Sequence, residues 1–93
     1  MLHIVRQSPF QKDISQELAI LLGPEDTVLL IDDGIYFLQS LHWQILVNKA
    51  ANILVVKEHT QARGIASNDD IEFISLESVA EHLLTANNTL TWQ

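Results

Sequence analysis

Two adjacent carboxylates, Asp32 and Asp33, close the apolar run "TVLLI" and are followed at once by Gly34. A carboxylate pair at a strand end could ligate Mg²⁺ or accept a phosphoryl group, because ligands of open α/β sheets bind beyond the carboxyl ends of the strands. Such chemistry needs more carboxylates and a lysine from neighbouring strand ends. Ser8, Glu58, His59, Ser75 and Glu77 are the candidates, with Lys57 as the nearby lysine. A receiver-like phosphoacceptor would carry its acidic pair after the first strand and a lysine late in the sheet. Here the pair follows the second strand, and no lysine occurs after Lys57. The plainer reading needs less: one Asp caps the next helix, and Gly34 supplies an unusual backbone turn. A small-ligand site using Asp32 and Asp33 is the remaining alternative.

Other reactive constellations are weaker. "IDDGIY" has one glycine where a dinucleotide fingerprint has three. His3, His42, His59 and His82 show no metal-ligand spacing such as H-x₃-H. His59 draws notice because it follows a strand end, although a surface or capping role suits it better. The chain contains no cysteine, which excludes disulfides, thiolate metal sites and thiol nucleophiles of its own. No cofactor is expected.

The elements that must position these residues are short and alternate in type. "LHIV" (2–5) reads as a buried strand. "SPFQKDISQELAILLGP" (8–24) reads as a helix capped by Ser8, with Ile14, Leu18, Leu21 and Leu22 on one stripe and Gly23-Pro24 as its stop. "TVLLI" (27–31) and "ILVVK" (53–57) are continuous apolar strands suited to a sheet covered on both faces. Helical stretches are expected from Ile35 to Leu46, over 58–64 and over 76–86, where Leu76, Val79, Ala80, Leu83 and Leu84 share a side. "IEFIS" (71–75) is a fourth, less apolar strand, "TLTW" (89–92) could be a short fifth, and "WQILVN" (43–48) could be strand or helix. Strand and helix in alternation with short links predict an α/β fold, a mostly parallel sheet of four or five strands with helices on its faces.

The chain of 93 residues is long enough for one domain, residues 1–93, with its own core. No apolar run approaches the ~18 residues needed to cross a bilayer. "MLHIVRQSPFQK" is too short in apolar residues for a signal peptide, so a cytoplasmic protein is expected. A net charge of −7 opposes contact with phosphate backbones.

At ~100° per residue, Phe37, Leu38, Leu41 and Ile45 fall on one side of the second helix, and Tyr36, Trp43 and Val47 on another. A helix packed on its own sheet needs one apolar face, so the second face suggests a neighbouring helix or a partner subunit. Trp92, one residue from the end, is expected to dock on its own domain or at an interface.

"MLHIVRQSPF", "LLIDDG", "ILVVKEHTQARGI" and "TLTW", in this order and spacing, resemble the TusB/DsrH family, the DsrH-type branch of the DsrE/DsrF/DsrH group. The resemblance spans nearly the whole chain. It implies a three-layer α/β/α sandwich of Rossmann-like type. It also implies assembly with TusC-like and TusD-like subunits into a heterohexamer, a dimer of heterotrimers, that relays persulfide sulfur for 2-thiolation of the tRNA wobble uridine. A homo-oligomer could form when those partners are absent. The TusD-type carrier holds its cysteine just after the third strand. The comparable stretch here is Val56, Lys57, Glu58 and His59, without a thiol. No catalytic residue carries over. Asp33, Gly34, Ala62, Arg63 and Gly64 match the family pattern and are read as structural or interfacial. Tyr36, Trp43, Val47 and Trp92 are the interface candidates, and Asp32 and His59 remain weak site candidates.

Overall fold

A computed structural model of the chain describes residues 1–40, 48, 52–65 and 71–92. Five short strands form one sheet in which every pairing is parallel: β1 (Leu2–Val5), β2 (Thr27–Leu30), β3 (Asn52–Val56), β4 (Glu72–Ile74) and β5 (Thr89–Trp92). The spatial order is β4-β3-β2-β1-β5. The chain therefore steps outward in one direction from β1 to β4, then returns to the far side of β1. The α/β fold with a parallel sheet stands as expected.

Strand residues alternate between two buried faces. Val5, Val28, Leu30, Ile53 and Val55 point to the first face, where Ile14, Leu18 and Leu22 of the first helical region, with Ile35, Phe37 and Ile65, cover them. Leu2, Ile4, Leu29, Leu54, Val56 and Ile74 point to the second, against Val79 and Ala86. This two-sided burial is why β2 and β3 read as unbroken apolar runs rather than as alternating ones.

The first helix is shorter than its apolar stripe predicts. Helix α1 spans Ser15–Leu21 only. Ahead of it, Ser8 does not cap a helix: its Oγ accepts the Phe10 N–H at 3.1 Å, and its carbonyl accepts the N–H groups of Gln11 and Lys12. The Asp13 carboxylate then accepts the Ser15 N–H at 2.9 Å. Such local bonds compete with helix and restart it one turn later. Leu21 leaves the stripe and is exposed.

The second helix also departs from expectation over its described part. Residues Asp32–Gln39 form a 3₁₀ helix, ended by Ser40 in extended conformation. Three residues per turn stack i on i+3. Gly34 and Phe37 make one edge and Ile35 and Leu38 the next. Asp33, Tyr36 and Gln39 form a third, more exposed edge. Phe37 and Ile35 are fully buried, and Tyr36 is half-buried against the same core. Leu41, Ile45, Trp43, Val47 and the ambiguous stretch 43–47 lie outside the described residues.

Gly34 is required by close approach and not by an unusual dihedral. A Cβ there would sit 1.9 Å from the Val5 carbonyl oxygen. The positive φ belongs instead to Asp32, at 49°. Gly64 does adopt φ +63°, with open space around it. It follows α2 (Lys57–Ala62). The Ile65 N–H bonds the Thr60 carbonyl and the Gly64 N–H bonds the Gln61 carbonyl, each at 3.2 Å. This pair is the Schellman closure, and buried Ile65 supplies its apolar contact. The Leu76–Ser78 turn leads into α3 (Val79–Thr85).

The two glycines should respond differently to substitution. Gly34→Ala should lose about 1–3 kcal/mol or more through overpacking, whereas Gly64→Asn, which tolerates a left-handed φ, should cost under about 1 kcal/mol. Urea unfolding of the two variants measures the contrast. Equal losses would show that the Val5 contact relaxes freely.

Candidate functional site

The sequence-nominated acids do meet other named candidates at the carboxyl ends of β1, β2 and β3. Asp32 is the second residue after β2 and takes the left-handed conformation, which Asp tolerates better than most residues. Its N–H donates to Nδ1 of His59 at 2.8 Å. His59 comes from the first turn of α2, directly after β3. Because its Nδ1 accepts, the proton of the neutral ring sits on Nε2. Oδ2 of Asp32 accepts the Nε–H of Arg6, just beyond β1, at 3.0 Å.

Asp33 is occupied in the same way. Arg63, the residue that ends α2, donates from Nε at 3.2 Å and from Nη2 at 3.1 Å to one oxygen, Oδ1. Its Nη1 donates to the His59 carbonyl at 3.2 Å. One guanidinium thus ties the 3₁₀ helix to the end of α2. Of the residues expected to be structural or interfacial, Gly34 sets the approach of its helix to the sheet, Gly64 closes α2 and Arg63 bridges to Asp33, while Ala62 is the last residue of α2. Glu58 is also engaged, since both its carboxylate oxygens accept the Leu76 N–H at 3.1 Å and hold the turn after β4.

This arrangement suits architecture better than metal or phosphoryl chemistry. Each Asp already has an arginine: Arg6 on Asp32 and Arg63 on Asp33. Among the described residues, no three His, Asp or Glu side chains converge as metal ligands. Ser8 is buried in its own turn and does not meet His59. Asp32, Asp33 and Glu58 are therefore held as acceptors for arginine and backbone N–H groups.

A second polar network lies on the first face. His3, inside the apolar run "LHIV", is fully buried. Its Nε2 lies 3.0 Å from Oδ2 of Asp26, and its Nδ1 accepts the indole N–H of Trp92 at 3.2 Å. Indole only donates, so the histidine proton must be on Nε2, directed at Asp26. The rings of His3 and Trp92 stack with centroids 6.3 Å apart. The Asp26 carboxylate also accepts the Gly23 N–H at 2.9 Å and the terminal amine at 3.0 Å. The Gly23 N–H first, then His3 and the terminal ammonium, hold its carboxyl far below the ordinary value of 3.8. Trp92 thus docks on its own domain, half-buried against the main core. The residues around it escaped the sequence reading. Their signal is a histidine in a strand otherwise wholly apolar.

Comparison with known proteins gives the family. Residues 7–89 match the model of the DsrH-like protein family. The chain belongs to the TusB/DsrH family. Protein TusB of Erwinia tasmaniensis is 38% identical over 66 residues, which cover 70% of each chain. Protein TusB of Buchnera aphidicola subsp. Schizaphis graminum is 30% identical over 90 residues, 95% of this chain and 94% of that one. The counterpart from subsp. Acyrthosiphon pisum is 27% identical over 95 residues, covering 99% of this chain and all of the relative.

The Asp26 network has a defined pH signature. A carboxyl whose folded-state value is depressed stabilises the fold above its unfolded value, and that contribution disappears as pH falls below it. Asp26→Asn should therefore cost about 1.5–3 kcal/mol near neutrality, the range for hydrogen bonds to a charged group. The gap between variant and parent should narrow as pH drops from 3.8 downward. Urea midpoints from pH 7 to pH 2 would show this, and a gap independent of pH would contradict it.

Proposed function

We propose that this chain is a non-catalytic subunit of a TusBCD-type sulfur-relay complex supporting 2-thiolation of the tRNA wobble uridine, on the route to 5-methylaminomethyl-2-thiouridine. The observation that carries the reading is a member of the TusB/DsrH family with no cysteine. Persulfide transfer needs a sulfur nucleophile, and the thiolate is that nucleophile. Neither Ser nor His can hold sulfane sulfur in its place. At the end of β3, where a TusD-type carrier presents its cysteine, Glu58 and His59 instead bond backbone N–H groups of neighbouring segments.

The contribution of such a subunit is shape. TusC-like and TusD-like chains are its partners, in a cytoplasmic heterohexamer built as a dimer of heterotrimers, and a single domain of this chain enters each heterotrimer. Tyr36, on the more exposed edge of the 3₁₀ helix, is a candidate contact, as are Trp43, Val47 and the part of Trp92 that its own core leaves uncovered. The acidic chain itself stays off the tRNA, since like charge repels phosphate.

Affinity purification of the tagged chain from its native cells, with mass spectrometry, should recover two related small α/β subunits. Removal of its gene should abolish 2-thiouridine in wobble-uridine tRNAs, read by nucleoside mass spectrometry. Unchanged thiolation, or a stable monomer indifferent to those subunits, would refute the reading. Trp43→Asp should weaken co-purification at least about tenfold, as expected for a buried aromatic anchor, while circular dichroism of the isolated chain stays unchanged. Normal assembly of that variant would remove Trp43 from the interface.

A further inference from the structure

The stripe Leu76, Val79, Ala80, Leu83 and Leu84 reads in the sequence as a core-facing side, yet α3 buries none of its residues. Only Val79 of the stripe packs against the second-face core. Leu76, Ala80, Leu83 and Leu84 are exposed, Leu84 to 85%. At about 100° per residue, Ala80, Leu83 and Leu84 fall within about 100° of one another, beside the sheet-facing side. Leu76 extends this strip by one turn. Glu77 and Glu81 border it on the side away from the sheet.

The sheet beneath α3 is also incompletely covered. A cleft of about 350 Å³ opens between the carboxyl end of α3 and the amino-terminal end of the sheet. Glu25, Thr27, Asn52, Glu72 and His82 are among the residues that line it. Two of these are carboxylates; Met1, whose terminal ammonium is already bonded to Asp26, lines it too.

Charge selects the occupant. All five basic residues, Arg6, Lys12, Lys49, Lys57 and Arg63, precede Gly64. After it come Asp69, Asp70, Glu72, Glu77 and Glu81, with no Lys or Arg to balance them. Glu72, Glu77 and Glu81 are exposed, and a surface bearing them repels nucleic acid and anionic lipid. A second copy fits poorly too, because a twofold contact sets a patch against itself and therefore acid against acid.

We propose that α3, the turn before it and the cleft beside it form a docking surface for a basic, apolar-centred segment of a partner protein. Leucines or other apolar anchors of that segment cover Leu76, Leu83 and Leu84. Its Lys or Arg side chains meet Glu77 and Glu81 at the rim and the carboxylates of the cleft. Apolar area supplies affinity, and the opposed charges set orientation and encounter rate. The inference uses the geometry of α3 and stands whether or not the sulfur-relay reading does.

The test uses the full chain and a helical peptide of leucine and lysine at heptad spacing, with a leucine–glutamate peptide as control. Titration followed by ¹H–¹⁵N NMR should shift resonances of residues 76–86 and of the cleft, with binding that weakens as salt rises. Leu84→Ser and Glu81→Lys should each lower affinity about tenfold, as loss of a contact anchor does. Both positions are exposed, so circular dichroism should be unchanged. Shifts centred elsewhere, equal binding of the glutamate peptide, no binding, or unchanged affinity in both variants would each overturn the proposal. So would sedimentation showing a homodimer of the parent chain that Leu84→Ser dissociates.

Discussion

The carbonyl oxygen of Val5 governs how the chain leaves the sheet. It accepts the Ile31 N–H at 3.1 Å, extending the β1–β2 ladder one residue beyond the strands. The next turn then lies so close to that oxygen that only a residue without Cβ fits at Gly34. Hydrogen-bond geometry and steric exclusion act at one atom. Because the 3₁₀ helix descends this near the sheet, Ile35 and Phe37 can be fully buried on its first face. The same descent places Asp32 in a left-handed conformation and presents Asp33 to the end of α2. A bulkier residue at Gly34 would disturb the core and the strand-end cluster together.

Polar groups elsewhere are spent on the same task of joining distant segments. Arg63 links α2 to the 3₁₀ helix through Asp33, and His59 holds the Asp32 N–H. His3 links the residue before β2 to the last residue of β5 through a fully buried ring. In a low-dielectric interior such bonds are strong when satisfied and costly when broken. Together with the two apolar clusters that join the strands, they favour one arrangement of the sheet. Side chains that could have served chemistry are thereby committed to architecture.

What remains unpaired is mainly surface, and that is where a subunit without a thiol can act. The two faces of the sheet differ. The first is filled by α1, the 3₁₀ helix, Ile65 and Trp92, whereas the second has a smaller core under a helix that buries none of its own residues. Leucines and glutamates on that helix, with an open cleft at its end, leave an acidic, partly apolar surface. Family membership and lack of cysteine direct attention to contacts between proteins, and the unequal coverage of the faces shows where free apolar area lies.

Several features could be read along the chain because each is local. Apolar runs bounded by turn residues marked the first three strands, and the unbroken character of β2 and β3 announced a sheet covered on both sides, whereas β4 and β5 were only faintly marked. Gly64 marked a helix end because a left-handed cap needs glycine. The absence of cysteine needed no structure at all. Other features depend on residues far apart in the chain. Asp33 meets Arg63 across 30 positions, and His3 meets Trp92 across 89. Gly34 looked like a turn glycine, but its requirement comes from a carbonyl on another strand. Helical periodicity placed the α3 leucines on one side without revealing how far that side would stand from the sheet. Periodicity records which residues share a direction, while burial depends on what the rest of the chain brings to that direction.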